Sequence, residues 1–194
     1  MLGLTSFLQL ATFLYRNGLF AGHGCPRAVV SCSKGNRKKE DNEDLSDTAI
    51  KVEIILPRPV KMEAGQYINI WMPTVSLTSW MQTHPFTVTS WSRGKQDTLD
   101  LLVQPQRGFS AKFLRYNRPK IEGSVSFAVL FTGPHGVNVS VSGYESALVV
   151  ASGFGIAAVT PHIKQMIYGY NTCTSHIRRL HLVWQVESMG ESIA

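Results

Sequence analysis

From residue 49 onward the chain runs in short stretches of alternating apolar and polar residues. In "IKVEIILP", Val52, Ile54 and Leu56 share one face. In "GQYINIWMP", Tyr67, Asn69 and Trp71 stand opposite Ile68, Ile70 and Met72. "PFTVTSW", "TLDLLVQP" and "SVSFAVLFTG" continue the series, with turn signals at Pro57-Arg58-Pro59, Ser92-Arg93-Gly94 and Glu122-Gly123. Closely spaced strands punctuated in this way predict a small antiparallel β-barrel. One helical stretch, "SAKFLRYN", interrupts it, with Ser110 as its N-cap. Near residue 146 the period changes. "SALVVASGFGIAAVTPHIKQMIYGYN" reads as an apolar strand, a Gly-x-Gly turn and a helix, and "RRLHLVWQVES" as a second strand. That is a β–α–β unit, the start of a parallel α/β lobe. Pro161 falls in the first turns of the helix, where proline is tolerable.

The N-terminal pattern differs. "MLGLTSFLQLATFLY" is apolar and uncharged, and as a helix it would span roughly 22 Å, against a hydrocarbon core of about 30 Å. No acid occurs in residues 1 to 39, and Arg16, Arg27, Lys34, Arg37, Lys38 and Lys39 follow the apolar run. Basic residues after an apolar helix are the pattern of a cytosolic flank. The favoured reading is therefore the last part of a spanning helix; the alternative is a helix packed on the domain or lying at an interface. "SCSKGNRKKEDNEDLSDT" is nearly free of apolar residues and reads as a linker.

Composition adds limits. With 194 residues, 44% hydrophobic, the chain can bury a core, and its net charge of +6 does not choose a partner. Three cysteines without a Cys-x-x-Cys pair argue against a disulfide scaffold and a cysteine zinc site. The basic residues lie mostly in the linker, without a strand face of aromatic and basic residues, so nucleic-acid binding is not expected.

Three motifs carry candidate chemistry. His84-Pro85-Phe86-Thr87 opens a strand: histidine and threonine would turn a donor and a hydroxyl toward one pocket, with Phe86 packing the core. Gly108-Phe109-Ser110 sits at a helix start, a small residue and an N-cap suited to pyrophosphate. Gly153-Phe154-Gly155 lies between a strand and a helix, where a phosphate or ribose can approach free amides. A fourth stretch, Gly133-Pro134-His135-Gly136, is a rigid turn joining the two lobes. Taken singly, each is as well explained as a structural turn or a core histidine. Together, in this order, they favour a flavin or phosphate ligand. No catalytic residue and no metal ligand set can be picked out.

With these motifs in order, the sequence resembles the dehydrogenase region of ferric reductases and NADPH oxidases, and "LYRNGLFAG", "ILPRPVKMEAGQYINIWMP" and "RRLHLVWQVE" are similar to fungal ferric-chelate reductases. The resemblance implies an FAD-binding barrel of ferredoxin-reductase type over residues 49–135. It implies an incomplete NADPH-binding lobe over 136–194, a charged linker over 25–48, and over 1–24 the stub of a last transmembrane helix. It further implies that His84, Pro85, Phe86, Thr87, Gly108, Phe109 and Ser110 hold FAD. Gly133, Pro134, Gly136, Ser152, Gly153, Phe154, Gly155 and Ile156 would hold NADPH. Gln104, with Arg107 nearby, stands where the oxidases carry an arginine, a departure that fits the reductase branch. On this reading a hydride passes from NADPH to FAD, and electrons then go singly to haem and on to ferric chelates. None of the six histidines lies in an apolar spanning segment, so haem would belong to a membrane domain upstream, and the chain reads as partial. The expected place is at a membrane with the dehydrogenase part in the cytosol. Alternatives are a superoxide-producing oxidase and a truncated, non-catalytic FAD-binding protein.

Overall fold

Alternation in the sequence becomes burial in three dimensions. A computed structural model of the chain describes residues 2–18, 24–33, 49–72, 82–104 and 125–186. Strand β2 (Ala49–Lys61) turns Ile50, Val52, Ile54 and Leu56 inward, all buried. Its antiparallel neighbour β5 (Lys95–Val103) sets Val103, Leu101 and Leu99 opposite Ile50, Val52 and Ile54. On the other side of β2 lies β1 (Arg27–Ser33), and beyond it β6 (Val125–Ala128), giving the order β5-β2-β1-β6. A second sheet has β3 (Tyr67–Trp71) between β4 (His84–Thr87) and β7 (Leu130–His135). Ile68, Ile70, Phe131 and Val88 join the first sheet's apolar residues in one core. Each such side chain, fully buried, contributes about 1.5–3 kcal/mol.

Two expectations are corrected here. The linker assigned to 25–48 contains β1, which is a central strand of the larger sheet. The register Ala28↔Ile54 and Val30↔Val52 puts buried Ala28 and Val30 beside the inward residues of β2. The stretch Pro57-Arg58-Pro59, read as a turn, lies within β2. Prolines have no N–H for the ladder, and pairing lapses there: between Ile55↔Thr98 and Val60↔Gln96, residues 56–59 face residue 97 alone. The strand bulges and continues.

The β–α–β unit forms as expected. Strand β8 (Ser146–Ser152) leads through a short 3-10 turn, Gly153–Gly155, into helix α2 (Ile156–Asn171), and β9 (Arg179–Gln185) returns parallel to β8. Pro161 is the sixth residue of α2, deeper than the first turn. Ala151, Ala157 and Met166 are buried, while Leu148 and Val150, on the other face of β8, are exposed.

Helix α1 (Leu2–Arg16) exposes Phe7, Leu8, Leu10 and Tyr15. Its end is anchored to the barrel. The fully buried Asn17 donates from Nδ2 to the Phe131 carbonyl at 2.9 Å, and its Oδ1 accepts from the Phe131 N–H at 3.0 Å. Among the described residues β7 is an edge strand of its sheet, so the amide satisfies backbone groups that no described strand pairs. The Arg58 guanidinium lies 3.8 Å from the centroid of the Tyr15 ring. Among the described residues, no helix is long and apolar enough to cross a membrane.

Candidate functional site

Opposed residues of an antiparallel ladder share a face. In the β4-β3-β7 sheet, Thr87 pairs with Tyr67 and Tyr67 with His135. The next row is Pro85, Asn69 and Thr132. These six residues lie on the face away from the core. His84 and Phe86 pair with Ile70 and Ile68 and point with them to the core side. This corrects the expectation that His84 and Thr87 share a pocket. They are three positions apart on a strand, and alternation sends them to opposite faces. Partial burial desolvates the His84 imidazole and lowers its pKa, favouring the neutral ring.

The outer face is aromatic and polar, and no carboxylate stands in its two rows. Tyr67 is 38% exposed, and its ring centroid lies 5.4 Å from that of His135, tilted by 39°. His135 Nε2 and Thr132 Oγ1 share a hydrogen bond of 3.1 Å. Beside these rows is a cavity of about 190 Å³ lined by Asn69, Trp71, Thr83, Leu130 and Thr132, with Phe13 of α1 contributing one wall.

His135 reaches this face because of its glycines. Gly133 has φ +129°, and a Cβ there would stand 3.2 Å from Tyr67 O and Ile68 Cγ2; at Gly136, φ +93°, it would stand 3.3 Å from Gly65 O. Their absent side chains let β7 press on the start of β3, where the register shifts between Tyr67 and Asn69. Pro134 lies between them after a cis peptide bond. The motif thus has a packing role in the fold, and the histidine left out of the predicted site is the residue that joins the face. Tyr67, Asn69 and Thr132 were also missed, although the alternation of "YINIW" already put Tyr67 and Asn69 on one side.

At the other motif, Ser152 ends β8 and Ile156 begins α2. Gly153 has φ +49°, and a Cβ at Gly153 or Gly155 would meet nothing within 4 Å. The approach to the helix start is open. Gly155 as N-cap supplies no side-chain hydrogen bond and the first turn has no acid, so the helix end keeps its positive character. Trp184 Nε1 donates to the Gly153 carbonyl at 3.0 Å and steadies the turn. These features fit a phosphate-bearing nucleotide, as the flat outer face of Tyr67, Asn69, Thr87, Thr132 and His135 fits a planar flavin. Gly108, Phe109 and Ser110 lie outside the described residues, as does the helical stretch they open.

Helix α2 runs along the barrel. His162 abuts Gly65, where a Cβ would come within 2.9 Å of its Nε2. Lys164 Nζ donates to the Thr89 carbonyl at 3.0 Å. Tyr168 meets the Trp91 ring edge-on, with centroids 5.5 Å apart. Burial lowers the His162 pKa as well.

Comparison with known proteins gives the family and the fold. The sequence profile of an FAD-binding domain matches residues 36–139. Ferric reduction oxidase 5 of Arabidopsis thaliana is 31% identical over 98 residues, 50% of this chain and 13% of that protein. The probable cell surface ferric reductase kap2 of Aspergillus oryzae is 26% identical over 157 residues, 74% of this chain and 20% of that protein. NADPH oxidase 1 of Mus musculus is 24% identical over 136 residues, 69% of this chain and 22% of that protein. The chain thus spans about a fifth or less of the length of these relatives. Among solved structures, ferredoxin-NADP+ reductase of Plasmodium falciparum superposes with a TM-score of 0.56 at 14% identity, covering 84% of this chain and 59% of that one. The fold is therefore of the ferredoxin-NADP reductase type, and the chain belongs to the FAD-binding domain family of ferric reductases and NADPH oxidases.

Proposed function

We propose that this chain is the flavin-reductase part of an NADPH-dependent ferric-chelate reductase, passing electrons from NADPH through FAD toward a haem and ferric iron. The observation that carries this is the row Thr87–Tyr67–His135, which sets the His84–Thr87 motif and the Gly133–Gly136 motif side by side on one open face. Thr87, Tyr67, Asn69, Thr132 and His135 would receive the flavin ring. Pro85 would border it, and His84 and Phe86 would support it from the core side. Gly108, Phe109 and Ser110 would take the FAD pyrophosphate. Ser152, Gly153, Phe154, Gly155 and Ile156 would take NADPH, reached from the seam where Gly133, Pro134 and Gly136 hold the barrel's last strand.

The domain reading becomes a barrel built from β1 and residues 49–135, followed by the NADPH lobe over 136–194. Haem would be carried by a membrane domain outside this sequence, and α1 would stand at its junction with the barrel. The barrel and lobe would then lie on the cytosolic side of that membrane, with ferric chelates as final acceptor. The similarity to ferric reductases and an NADPH oxidase supports this assignment.

Titrating the full chain with FAD, followed by quenching of flavin fluorescence, tests the cofactor. NADPH-dependent reduction of ferricyanide by the loaded protein, above a protein-free blank, tests the transfer. A chain that leaves FAD fluorescence unchanged overturns the assignment. A chain that binds FAD but reduces no acceptor keeps only the non-catalytic alternative.

A further inference from the structure

Among the described residues, His135 is the only imidazole in the two rows Thr87–Tyr67–His135 and Pro85–Asn69–Thr132 of the outer face. His84 turns to the core side, and His162 meets the barrel at Gly65. The His135 ring is held on three sides. Gly133 leaves it room, since a Cβ there would stand 3.3 Å from His135 Cδ2. The Tyr67 ring flanks it, with centroids 5.4 Å apart. Thr132 Oγ1 shares a hydrogen bond of 3.1 Å with Nε2. Nδ1 has no partner among the described residues.

The choice of partner matters. A carboxylate would hold an imidazole in its charged form, and a backbone carbonyl would fix one neutral tautomer. A hydroxyl both donates and accepts. Thr132 can therefore donate to a bare Nε2 or accept from a protonated one, and the ring need not turn when its charge changes. The surroundings leave that charge open as well. From β3 the titratable group facing the ring is the Tyr67 phenol, and from β4 the row contributes Thr87, which does not titrate. On the turn before β3, Glu63 is engaged by Lys61 and Asn138. From α2, His162 abuts Gly65.

An imidazole is the side chain that gains or loses its charge near neutral pH. A hydride brings two electrons and one proton to a flavin and leaves the ring one negative charge richer. Charge placed beside the ring nitrogens is one of the levers by which a protein tunes such a cofactor. A ring fixed in place, free to change its charge and open at one nitrogen is suited to offset that added charge.

We propose that His135 is a proton-uptake residue coupled to reduction of the flavin, with Thr132 as its positioning partner. The inference rests on the flavin assignment above. As a nicotinamide hydride reaches the flavin, the imidazole takes one proton from water at the nitrogen that Thr132 leaves open, and becomes a cation beside the added charge. When the two electrons leave the flavin, the hydride's proton and the imidazole's proton both return to solvent. Electrons, protons and charge balance over the cycle.

The test loads the full chain and its His135→Gln variant with FAD, checks binding by flavin fluorescence, and measures the flavin midpoint potential at pH 6.5 and pH 9 by reductive titration against reference dyes. Glutamine can still hydrogen-bond Thr132 but cannot take up a proton. At pH 6.5 the substitution is expected to make reduction about tenfold less favourable, about 30 mV for a two-electron couple. At pH 9, where an imidazole carries no proton in either chain, the difference is expected to fall below about twofold. A merely structural contact would shift the potential equally at both pH values, and that result overturns the proposal, as does no shift at either. Loss of FAD from His135→Gln alone also overturns it, because the ring would then serve binding rather than charge. In each of these cases FAD bound to the unsubstituted chain leaves the flavin assignment standing. Failure of the unsubstituted chain to bind FAD overturns both.

Discussion

Thr87 and Phe86 are neighbours in the chain and do opposite work. Phe86 packs against the core, whereas Thr87 stands in the outer row beside Tyr67. Thr87→Val keeps the shape and removes the hydroxyl. The expected result is FAD bound about three- to tenfold more weakly, the equivalent of one hydrogen bond of about 0.5–1.5 kcal/mol, with the melting temperature unchanged. Phe86→Ala should do the reverse first, lowering the melting temperature through lost packing. If Thr87→Val leaves FAD affinity intact, Thr87 is not a flavin contact. Asn17 is a third kind of residue, since its amide satisfies both backbone groups of Phe131. Asn17→Leu would leave that N–H and C=O buried and unpaired, at about 1–3 kcal/mol each. A loss of about 2–4 kcal/mol in urea unfolding is expected, and a change under 0.5 kcal/mol would show that water replaces the amide at no cost. The kinds of residue in these strands were legible in the sequence. Their directions were not, because a proline-containing motif obscured the alternation that separates His84 from Thr87.

At the level of elements, runs with clear alternation were legible and pairings made at a distance were not. β2, β3, β5 and the β8–α2–β9 unit follow their periodicity. β1 does not announce itself: Ala28-Val29-Val30 is a short apolar run between Arg27 and the polar residues after it. It becomes a strand because β2 and β6 pair with it from both sides, information that a local window does not contain. Its importance can be measured by truncation. A chain starting at residue 49 lacks a central strand of the β5-β2-β1-β6 sheet and should show no cooperative thermal transition. A chain starting at residue 24 keeps that strand, loses α1 and Asn17, and should melt cooperatively at a lower temperature than the full chain. Indistinguishable cooperative melts of the 49-start and 24-start chains would show β1 to be dispensable.

The whole molecule is held along a seam, and the seam contains a proton-sensitive group. α2 meets the barrel through His162 at Gly65, Lys164 at Thr89, and Tyr168 at Trp91 and Arg93. Burial lowers the pKa of His162 in the seam and of His84 in the barrel. Both rings are therefore favoured neutral in the folded protein and accept a proton more readily once unfolded, where the ordinary value is about 6.5. In the window below that value the unfolded chain binds more protons, so stability rises with pH there and falls as the solution is acidified. The melting temperature should hold from pH 8 to 7 and decline between pH 6.5 and 5. His162→Gln, which cannot take a proton, should flatten part of that decline, and His84→Gln another part. Because the two rings lie in different contacts, the double variant should flatten it by about the sum. A decline of unchanged slope in the double variant would assign acid sensitivity to the carboxylates instead. A melting temperature that rises on acidification would overturn the desolvated state of both rings.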